Sequence, residues 1–405
     1  MATTGGRVRL EAVQADASVT PLELFFDLVF VFALTQVTAF LADNPTPQGV
    51  VRGLLLLGLM WWSWVGYAWR GNVVRADEGA ARVAMLSAMG AMFVLALCIP
   101  EAFDDAPGGL PGPLVVVLCY FAFRALHLAL FWIAGTGDDG LRRQLLLFTP
   151  AMLSATVLLL LAAATSGTAQ TALWGAALVA EYVGTFLGGA SGWRVRSAGH
   201  FTERHGMIVS VALGGPLVAI GVGVAEVPVS WSIVAAAALG LAISAALWWL
   251  YFDVTALMAE RALSGAAGEE QAALARDAYS FIHLPLVAGV VLVSLGLKKV
   301  LEYVGDTAHH DLADSLSGFG LFGLFGGVAV YLLGQVGFEL RASGTLNTVR
   351  LGVAIGLAAV APLMVGVPAL VALGVVATVS GGLVAVESRR LAEDRDRLHH
   401  EGAAR

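Results

Sequence analysis

Charged and titratable side chains lie inside or at the ends of long apolar segments of this sequence. Asp27 follows Glu23 by one helical turn, and the helix is expected to begin at Thr20-Pro21. Thr20 is predicted to cap that helix together with Glu23, so Glu23 has a structural explanation. Asp27 lies deeper, where a carboxylate normally faces a bundle interior or a wet cavity. Asp27 is therefore the first candidate for an ion-pathway residue.

Histidines and acids near the ends of later apolar segments extend this set. His205 belongs to the run from His200 to Gly206, and His283 precedes Pro285 within an apolar segment. Histidine titrates near neutral pH, so both residues are suited to relay protons, although an interfacial histidine needs no such role. We expect the set to gather in the cytoplasmic half of a helix bundle. The candidate binding or ion-pathway residues are Asp27, His205, Asp253, Asp277 and His283.

Two glycines and a proline lie together in the middle of another apolar segment. Gly214, Gly215 and Pro216 are predicted to unwind or kink the helix that contains them. Broken helices in membranes often mark binding sites. A packing kink without a functional role is the alternative.

Two opposite charges lie at similar depths in separate apolar segments. Arg124 is in the middle of one segment and Glu181 is in the middle of another. Each would be costly in lipid without a partner. We therefore predict a buried Arg124–Glu181 pair with a structural role.

Several classes of site have no pattern in the chain. Motif searches find no phosphate loop, no Gly-x-Ser-x-Gly elbow and no His-Glu-x-x-His pair. Cys98 and Cys119 lie inside apolar runs, and His200 and His205 are spaced poorly for a zinc site. The net charge of −7 gives no nucleic-acid footprint. We expect no metal, no cofactor and no nucleic-acid partner.

The composition predicts which elements position these residues. Hydrophobic residues make up 58% of the 405 residues and charged residues only 13%. Soluble domains carry roughly 25% charged residues, so the expected solvent of this chain is the lipid bilayer. The sequence predicts an all-α membrane protein with about 12 transmembrane helices. The predicted spans are 21–43, 50–70, 82–103, 111–134, 143–165, 169–190, 204–225, 230–252, 279–300, 315–338, 348–366 and 367–387.

The distribution of basic residues predicts the orientation of these spans. Most of the 23 Lys and Arg residues lie at the two termini or in every second loop between the predicted spans, including the span ends next to those loops. Positive charge resists translocation, so this side and both termini are predicted to be cytoplasmic. Arg70, Arg204 and Arg350 are counted among these loop charges. The last two predicted spans are separated so briefly that a re-entrant pair is the alternative.

A weak internal likeness suggests a duplication of six helices. Trp61-Trp62 recurs as Trp248-Trp249, at a similar position in the second half. Chance recurrence in an apolar chain is the alternative, and transporters are often built from such repeats. The predicted regions are a cytoplasmic N-terminal segment (1–20), two six-helix halves (21–190 and 191–387) and a cytoplasmic tail (388–405).

Three segments resemble one known family. Residues 19–33 read VTPLELFFDLVFVFA, residues 200–206 read HFTERHG and residues 276–285 read RDAYSFIHLP. These resemble the bacterial low temperature requirement protein A family. The resemblance implies an inner-membrane protein tied to growth in the cold, with no established reaction. The family pattern after Ala212-Leu213 reads Gly-Glu-Ser, whereas this chain has Gly214-Gly215-Pro216.

Three functions compete on these observations. The first is a transporter or channel for a small solute or ion, including a proton-linked one. The second is a membrane-embedded enzyme that acts on lipid or a lipid-linked substrate and uses His205, Asp253 and His283 as acid and base. The third is a non-catalytic membrane scaffold in which every charge is structural. The expected partners are the bilayer and an unknown small solute or ion, and a homo-oligomer is left open.

Overall fold

The structure is a computed structural model, and it describes residues 18–75, 79–136, 138–190, 192–225, 227–306, 309–316 and 318–390. The predicted N-terminal segment and cytoplasmic tail lie mostly outside these residues. The described residues form helices and no strand, apart from isolated bridges such as that between Ser315 and Pro368. The all-α prediction is therefore confirmed.

The helices follow the apolar segments of the sequence. Short 3₁₀ turns occupy Ile99–Glu101 and Ala361–Met364, and a π-helical segment occupies Ala275–Phe281. The α-helices are α1 Pro21–Asp43, α2 Pro47–Gly71, α3 Gly79–Leu97, α4 Gly112–Ala134, α5 Asp139–Ala163, α6 Gly167–Gly188, α7 Ala198–Gly223, α8 Trp231–Phe252, α9 Thr255–Gly265, α10 Gly268–Leu274, α11 His283–Gly305, α12 Gly318–Ser343, α13 Thr348–Val360 and α14 Ala369–Arg390.

Within the described part of the chain, ten helices are long and apolar enough to cross a membrane. One of these ten segments combines α8 and α9, and another combines α10 and α11. The other two predicted spans correspond to α6, which is not among the ten, and to the shorter apolar helix Thr348–Met364. At about 1.5 Å per residue, the 13 residues of α13 are too short to cross about 30 Å of hydrocarbon. The chain is a multi-pass membrane protein.

The chain folds as two compact units, which are described separately below. The first unit comprises residues up to Ala33, Gly58–His205 and Ala267–Ala273. The second unit comprises Leu34–Leu57, Gly206–Ala266 and the residues from Leu274 onward. Each unit combines separate stretches of the chain, and this division says nothing about a duplication in the sequence. The six-plus-six repeat therefore stays a prediction.

Helices of the first unit that follow one another in the chain pack against one another. Helix α3 packs on α4, α4 on α5 and α5 on α6. Gly184 on α6 faces the Cβ atom of Ala151 on α5 so closely that a side chain there would collide. Gln170 Nε2 donates to the carbonyl of Phe103 at 3.0 Å, and Trp174 packs against the Phe103 ring. These contacts tie α6 to the turn before α4.

The second unit is built around the pair α11 and α12, which touch through glycines. A Cβ atom at Gly289 would lie 2.6 Å from the carbonyl oxygen of Gly327. At Gly296 it would lie 2.7 Å from the Cα atom of Leu324. Small residues allow this backbone approach, as expected for helix packing in membranes. Helix α11 also packs on α8 and α14, and α12 packs on α9 and α13.

Candidate functional site

The N-terminus of α1 is closed by reciprocal hydrogen bonds. The backbone N–H of Glu23 donates to Thr20 Oγ1 at 3.3 Å, and the backbone N–H of Thr20 donates to Glu23 Oε2 at 3.0 Å. This arrangement is the predicted capping box. It holds the Glu23 carboxylate at the start of the helix, with Asp27 one turn further on.

Glu23 is also paired with a histidine of the first unit. His200 Nε2 lies 3.1 Å from Glu23 Oε2, and both side chains are buried. Glu23 Oε1 has no hydrogen-bond partner among the described residues. A methyl group at Gly71 would collide with this oxygen, so Gly71 is the residue that leaves room for it.

The hydrogen bonds of Asn72 determine the tautomer of His200. Asn72 Oδ1 accepts from the backbone N–H of Arg196 at 2.7 Å and of Ser197 at 3.3 Å. The amide nitrogen of Asn72 therefore faces His200 Nδ1, at 3.4 Å. A nitrogen that accepts from an amide carries no proton itself. His200 is thus neutral in this arrangement and donates from Nε2 to Glu23.

Asp27 has two partners in the first unit. Trp64 Nε1 donates to Asp27 Oδ1 at 2.8 Å, and Arg204 Nη2 lies 3.1 Å from the same oxygen. Both charged side chains are 0% exposed. Asp27 Oδ2 has no hydrogen-bond partner in the described structure. The carboxylate is therefore charge-paired, with one oxygen left open.

Arg70 is the buried charge with the fewest partners in this region. Its side chain is 0% exposed and lies over the Tyr67 ring at 5.1 Å. Its Nη2 donates to the thioether sulfur of Met85, which is a weak acceptor. Its Nε and Nη1 have no hydrogen-bond partner among the described residues. We refer to Glu23, Asp27, Arg70, His200 and Arg204 as the α1 charge cluster.

His205 lies beside this cluster and is held in place by packing. Its Nδ1 is 2.8 Å from the carbonyl of Phe201, so that nitrogen carries the hydrogen and donates it. The His205 ring meets the Trp64 ring edge-on at 5.1 Å. Trp64 thus connects two of the predicted pathway residues, Asp27 and His205.

The predicted pair of opposite charges forms in the first unit. Arg124 Nη2 lies 2.9 Å from Glu181 Oε2, and both side chains are buried. Tyr120 donates its hydroxyl hydrogen to the other oxygen of Glu181. This triad links α4 to α6, consistent with a structural role.

The other predicted pathway residues belong to the second unit, and each has partners of its own. His283 Nδ1 donates to the carbonyl of Ala278 at 2.9 Å, and Nε2 accepts from the Tyr251 hydroxyl at 2.9 Å. Asp277 lies within 3.1 Å of Arg341 and within 2.7 Å of Arg276, and all three are partly exposed. Asp253 lines a small pocket of about 10 Å³.

A network that the sequence did not predict surrounds Arg350 in the same unit. Its guanidinium contacts Glu339 on α12, Glu387 on α14 and Thr255 on α9. It also donates to the carbonyl of Leu250 on α8 at 2.9 Å. All three guanidinium nitrogens are bonded, so this network joins five helices.

Helix α7 runs through the Gly214-Gly215-Pro216 motif without interruption. The helix therefore does not unwind at this motif, and the alternative of a kink stays a prediction. One proline removes one backbone donor, and a helix tolerates that loss when the rest of its turns are bonded. Gly215 instead lines a cavity of about 60 Å³ in the second unit, a volume sufficient for a few water molecules. Thr35, Thr38 and Lys298 supply its polar lining.

Three arginines predicted to be loop charges are instead buried inside helices. Arg70, Arg204 and Arg350 are each at most 1% exposed. Their place at the ends of apolar runs looked interfacial, because sequence alone does not show which face of a helix end is covered. A signal was nevertheless present, because Arg204 lies four residues after His200 and therefore on the same helical face.

No group of three or more metal-binding side chains occurs among the described residues. The candidate site consists of charged side chains and hydrogen bonds at helix ends. It offers carboxylates, guanidinium groups and a neutral histidine, which are suited to bind protons and ions.

Comparisons with known proteins place the chain in a family. Residues 18–385 match the family described as "Bacterial low temperature requirement A protein (LtrA)". An uncharacterized protein of Rhizobium meliloti (strain 1021) is 24% identical over 288 residues, which cover 68% of this chain and 67% of that protein. No solved structure matches the chain. The chain belongs to the bacterial low temperature requirement A family.

Proposed function

We propose that the protein moves a small solute or ion across the membrane, linked to proton binding in the α1 charge cluster. The observation that carries this proposal is a buried cluster whose charges are incompletely bonded. Arg70 has two nitrogens without a hydrogen-bond partner, and Glu23 and Asp27 each have one such oxygen. Each open group is costly in a low dielectric, so the cluster has capacity to bind a further partner.

The Glu23–His200 pair supplies a place for the proton. A second proton on His200 would sit at Nδ1, which already accepts from Asn72. Its arrival would therefore displace the Asn72 amide. Asn72 also holds the backbone of Arg196 and Ser197, in the segment that connects α6 to α7. Proton binding would thus loosen that segment, which is the kind of two-state element that transport requires.

A second feature of α1 supports a pathway. The C-terminal part of this helix lines the 60 Å³ cavity in the second unit, through Thr35 and Thr38. Lys298 of α11 lines the same cavity. This mostly apolar cavity has room for a few water molecules beside the three polar side chains.

The scaffold alternative has its own supporting observation. The Arg350 network and the Arg124–Glu181–Tyr120 triad hold helices together and bind nothing else in the described structure. Those two groups are therefore assigned structural roles. The α1 charge cluster differs from them because Arg70 has no carboxylate within hydrogen-bond distance among the described residues.

The enzyme alternative is weakened at one of its proposed residues. Both ring nitrogens of His283 are hydrogen-bonded, to Ala278 and Tyr251, and the side chain is buried. A general acid or base needs a ring nitrogen that reaches the substrate. His283 is better explained as part of an aromatic core with Tyr251 and Phe338.

The proposed location is the inner (plasma) membrane of a bacterium. The family description names bacteria and a requirement for low temperature. A solute transporter whose activity matters for growth in the cold is consistent with that description.

The test is flux into proteoliposomes that contain the full chain. Gradients of potassium, sodium, chloride, phosphate and succinate are imposed in turn, with and without a pH gradient. The proposal expects flux of at least one solute that is lost in Asp27→Asn and kept in Glu302→Gln. Glu302 is a matched control because it forms a partly exposed pair with Lys299. Absence of flux for every gradient, with correctly folded protein in the vesicles, would overturn the proposal.

A further inference from the structure

Arg70 is a fully buried cation that forms no hydrogen-bonded ion pair among the described residues. Its contacts there are the Tyr67 ring and the Met85 sulfur. Two of its three nitrogens have no hydrogen-bond partner. Leaving such donors unbonded away from water is strongly unfavourable.

Arg204 is a second guanidinium with open donors in the same cluster. Its Nη2 faces Asp27, while Nε and Nη1 have no hydrogen-bond partner among the described residues. Arg70 and Arg204 each contact one ring of a stacked aromatic pair. Arg204 lies 5.9 Å from the Phe26 centroid, and Phe26 stacks on Tyr67 at 5.2 Å. Arg70 lies over the other ring of that stack, Tyr67.

The charge balance of the cluster leaves room for one anion with one proton. Arg70 and Arg204 balance Glu23 and Asp27 while His200 is neutral. Addition of one singly charged anion, such as hydrogen succinate or dihydrogen phosphate, would leave one net negative charge in a low dielectric. One proton on the Glu23–His200 pair would restore neutrality. An anion and a proton are therefore expected to bind together.

We propose that the transported solute is a small oxyanion and that Arg70 is its principal binding group. This inference rests on the proposed function. A guanidinium presents paired N–H donors in a plane, and that geometry matches the oxygens of a carboxylate or a phosphate. Arg204 adds positive charge and open N–H groups to the same cluster.

Binding is tested separately from transport, on full-length protein in a nonionic detergent. The thermal unfolding midpoint is followed while phosphate or succinate is added at constant ionic strength, with chloride as the reference salt. A ligand that binds only the folded state raises this midpoint as its concentration increases. We expect phosphate, succinate or both to raise it more than chloride does.

Variants assign the effect to Arg70. Arg70→Gln is expected to abolish the anion-dependent rise. It is also expected to leave the midpoint in anion-poor buffer unchanged or higher, since it removes a buried charge that has no hydrogen-bonded counter-ion. Arg70→Lys keeps the charge but loses the planar donors, so affinity should fall about tenfold or more. Arg194→Gln is the control, because Arg194 is 69% exposed.

A purely structural role for Arg70 predicts the opposite pattern. Arg70→Gln would then lower the midpoint in anion-poor buffer, and no anion would raise the wild-type midpoint above its value in chloride. A rise that needs phosphatidylglycerol and not free anions would show that Arg70 holds a lipid phosphate, and it would overturn the solute assignment. If the wild-type protein transports an anion but Arg70→Gln still binds it, the proposed transport function is supported. The assignment of Arg70 as the principal binding group is then refuted.

Discussion

Arg204 Nη2 and Asp27 Oδ1 lie 3.1 Å apart, with both side chains fully buried in the first unit. The carboxylate comes from the second turn of α1, and the guanidinium comes from α7. Trp64 Nε1 donates to the same carboxylate oxygen. Asp27 and Arg204, which lie near the ends of separate apolar segments, therefore form one buried ion pair.

Breaking this pair from one side should destabilise the protein. Asp27→Asn leaves Arg204 without its counter-charge, which costs about 3–5 kcal/mol for a buried pair. Asp27→Asn with Arg204→Gln removes both charges and should recover much of that loss. The measurement is the free energy of unfolding in detergent for both single variants and the double variant. Simple additivity of the two single effects would contradict a direct pair.

The Arg124–Glu181–Tyr120 triad should behave as a structural unit. Glu181→Gln is expected to destabilise the protein by several kcal/mol, because Arg124 then remains buried and uncompensated. Tyr120→Phe removes one hydrogen bond to a charged group and should cost about 1.5–3 kcal/mol. Unfolding in detergent measures both changes. Glu302→Gln, at a partly exposed pair, should change stability by no more than about 1 kcal/mol. An equal effect of Glu181→Gln and Glu302→Gln would refute the assignment.

The close approach of α11 and α12 predicts a contrast between neighbouring glycines. A Cβ atom at Gly327 would lie 2.6 Å from the backbone nitrogen of Val293. A Cβ atom at Gly326 would instead point into open space, with no atom of another helix within 4 Å. Gly327→Ala should therefore cost about 1–3 kcal/mol through overpacking. Gly326→Ala should be neutral or slightly stabilising. Equal thermal stability of the two variants would show that the helices are not packed through Gly327.

The network of Arg350 depends on the shape of the guanidinium. Its three nitrogens bond to groups on different helices, and an ammonium group cannot replace that fork. Arg350→Lys is therefore expected to be nearly as destabilising as Arg350→Gln. Thermal unfolding compares the two variants, and near-wild-type stability of Arg350→Lys would show that charge alone matters.

Asn72 is expected to control the order of the segment before α7. Asn72→Ala removes the acceptor of the backbone N–H groups of Arg196 and Ser197. Hydrogen exchange at these two positions should become faster, because their amides lose protection. The carbonyl-bonded amides inside α4 serve as the internal reference. Unchanged exchange at both positions would contradict the assigned link between His200 and this segment.

The sequence predicted the fold class well because apolar length is a strong signal in a membrane protein. The capping box at Thr20 and Glu23 also followed from local spacing alone. The Arg124–Glu181 pair followed from charge balance, since two opposite charges at one depth are cheaper together.

Sequence reasoning did not find the partners of helix-end charges. Arg204 was predicted to be a loop charge, and the structure buries it against Asp27, which lies far away in the chain. The choice between loop and core depends on how neighbouring helices cover one face of a helix end. A single sequence does not contain that information. Glu339 and Glu387 were overlooked for the same reason, because they meet only through Arg350.

The most direct test of the account is coupled movement of an anion and a proton. Proteoliposomes loaded with a pH-sensitive dye receive an inward succinate gradient, with equal pH on both sides and no membrane potential. The account predicts that the interior becomes more acidic with wild-type protein. Asp27→Asn and Arg70→Gln should abolish this change, and Arg194→Gln should retain it. Succinate entry without acidification, or acidification that is unchanged in both cluster variants, would contradict the account.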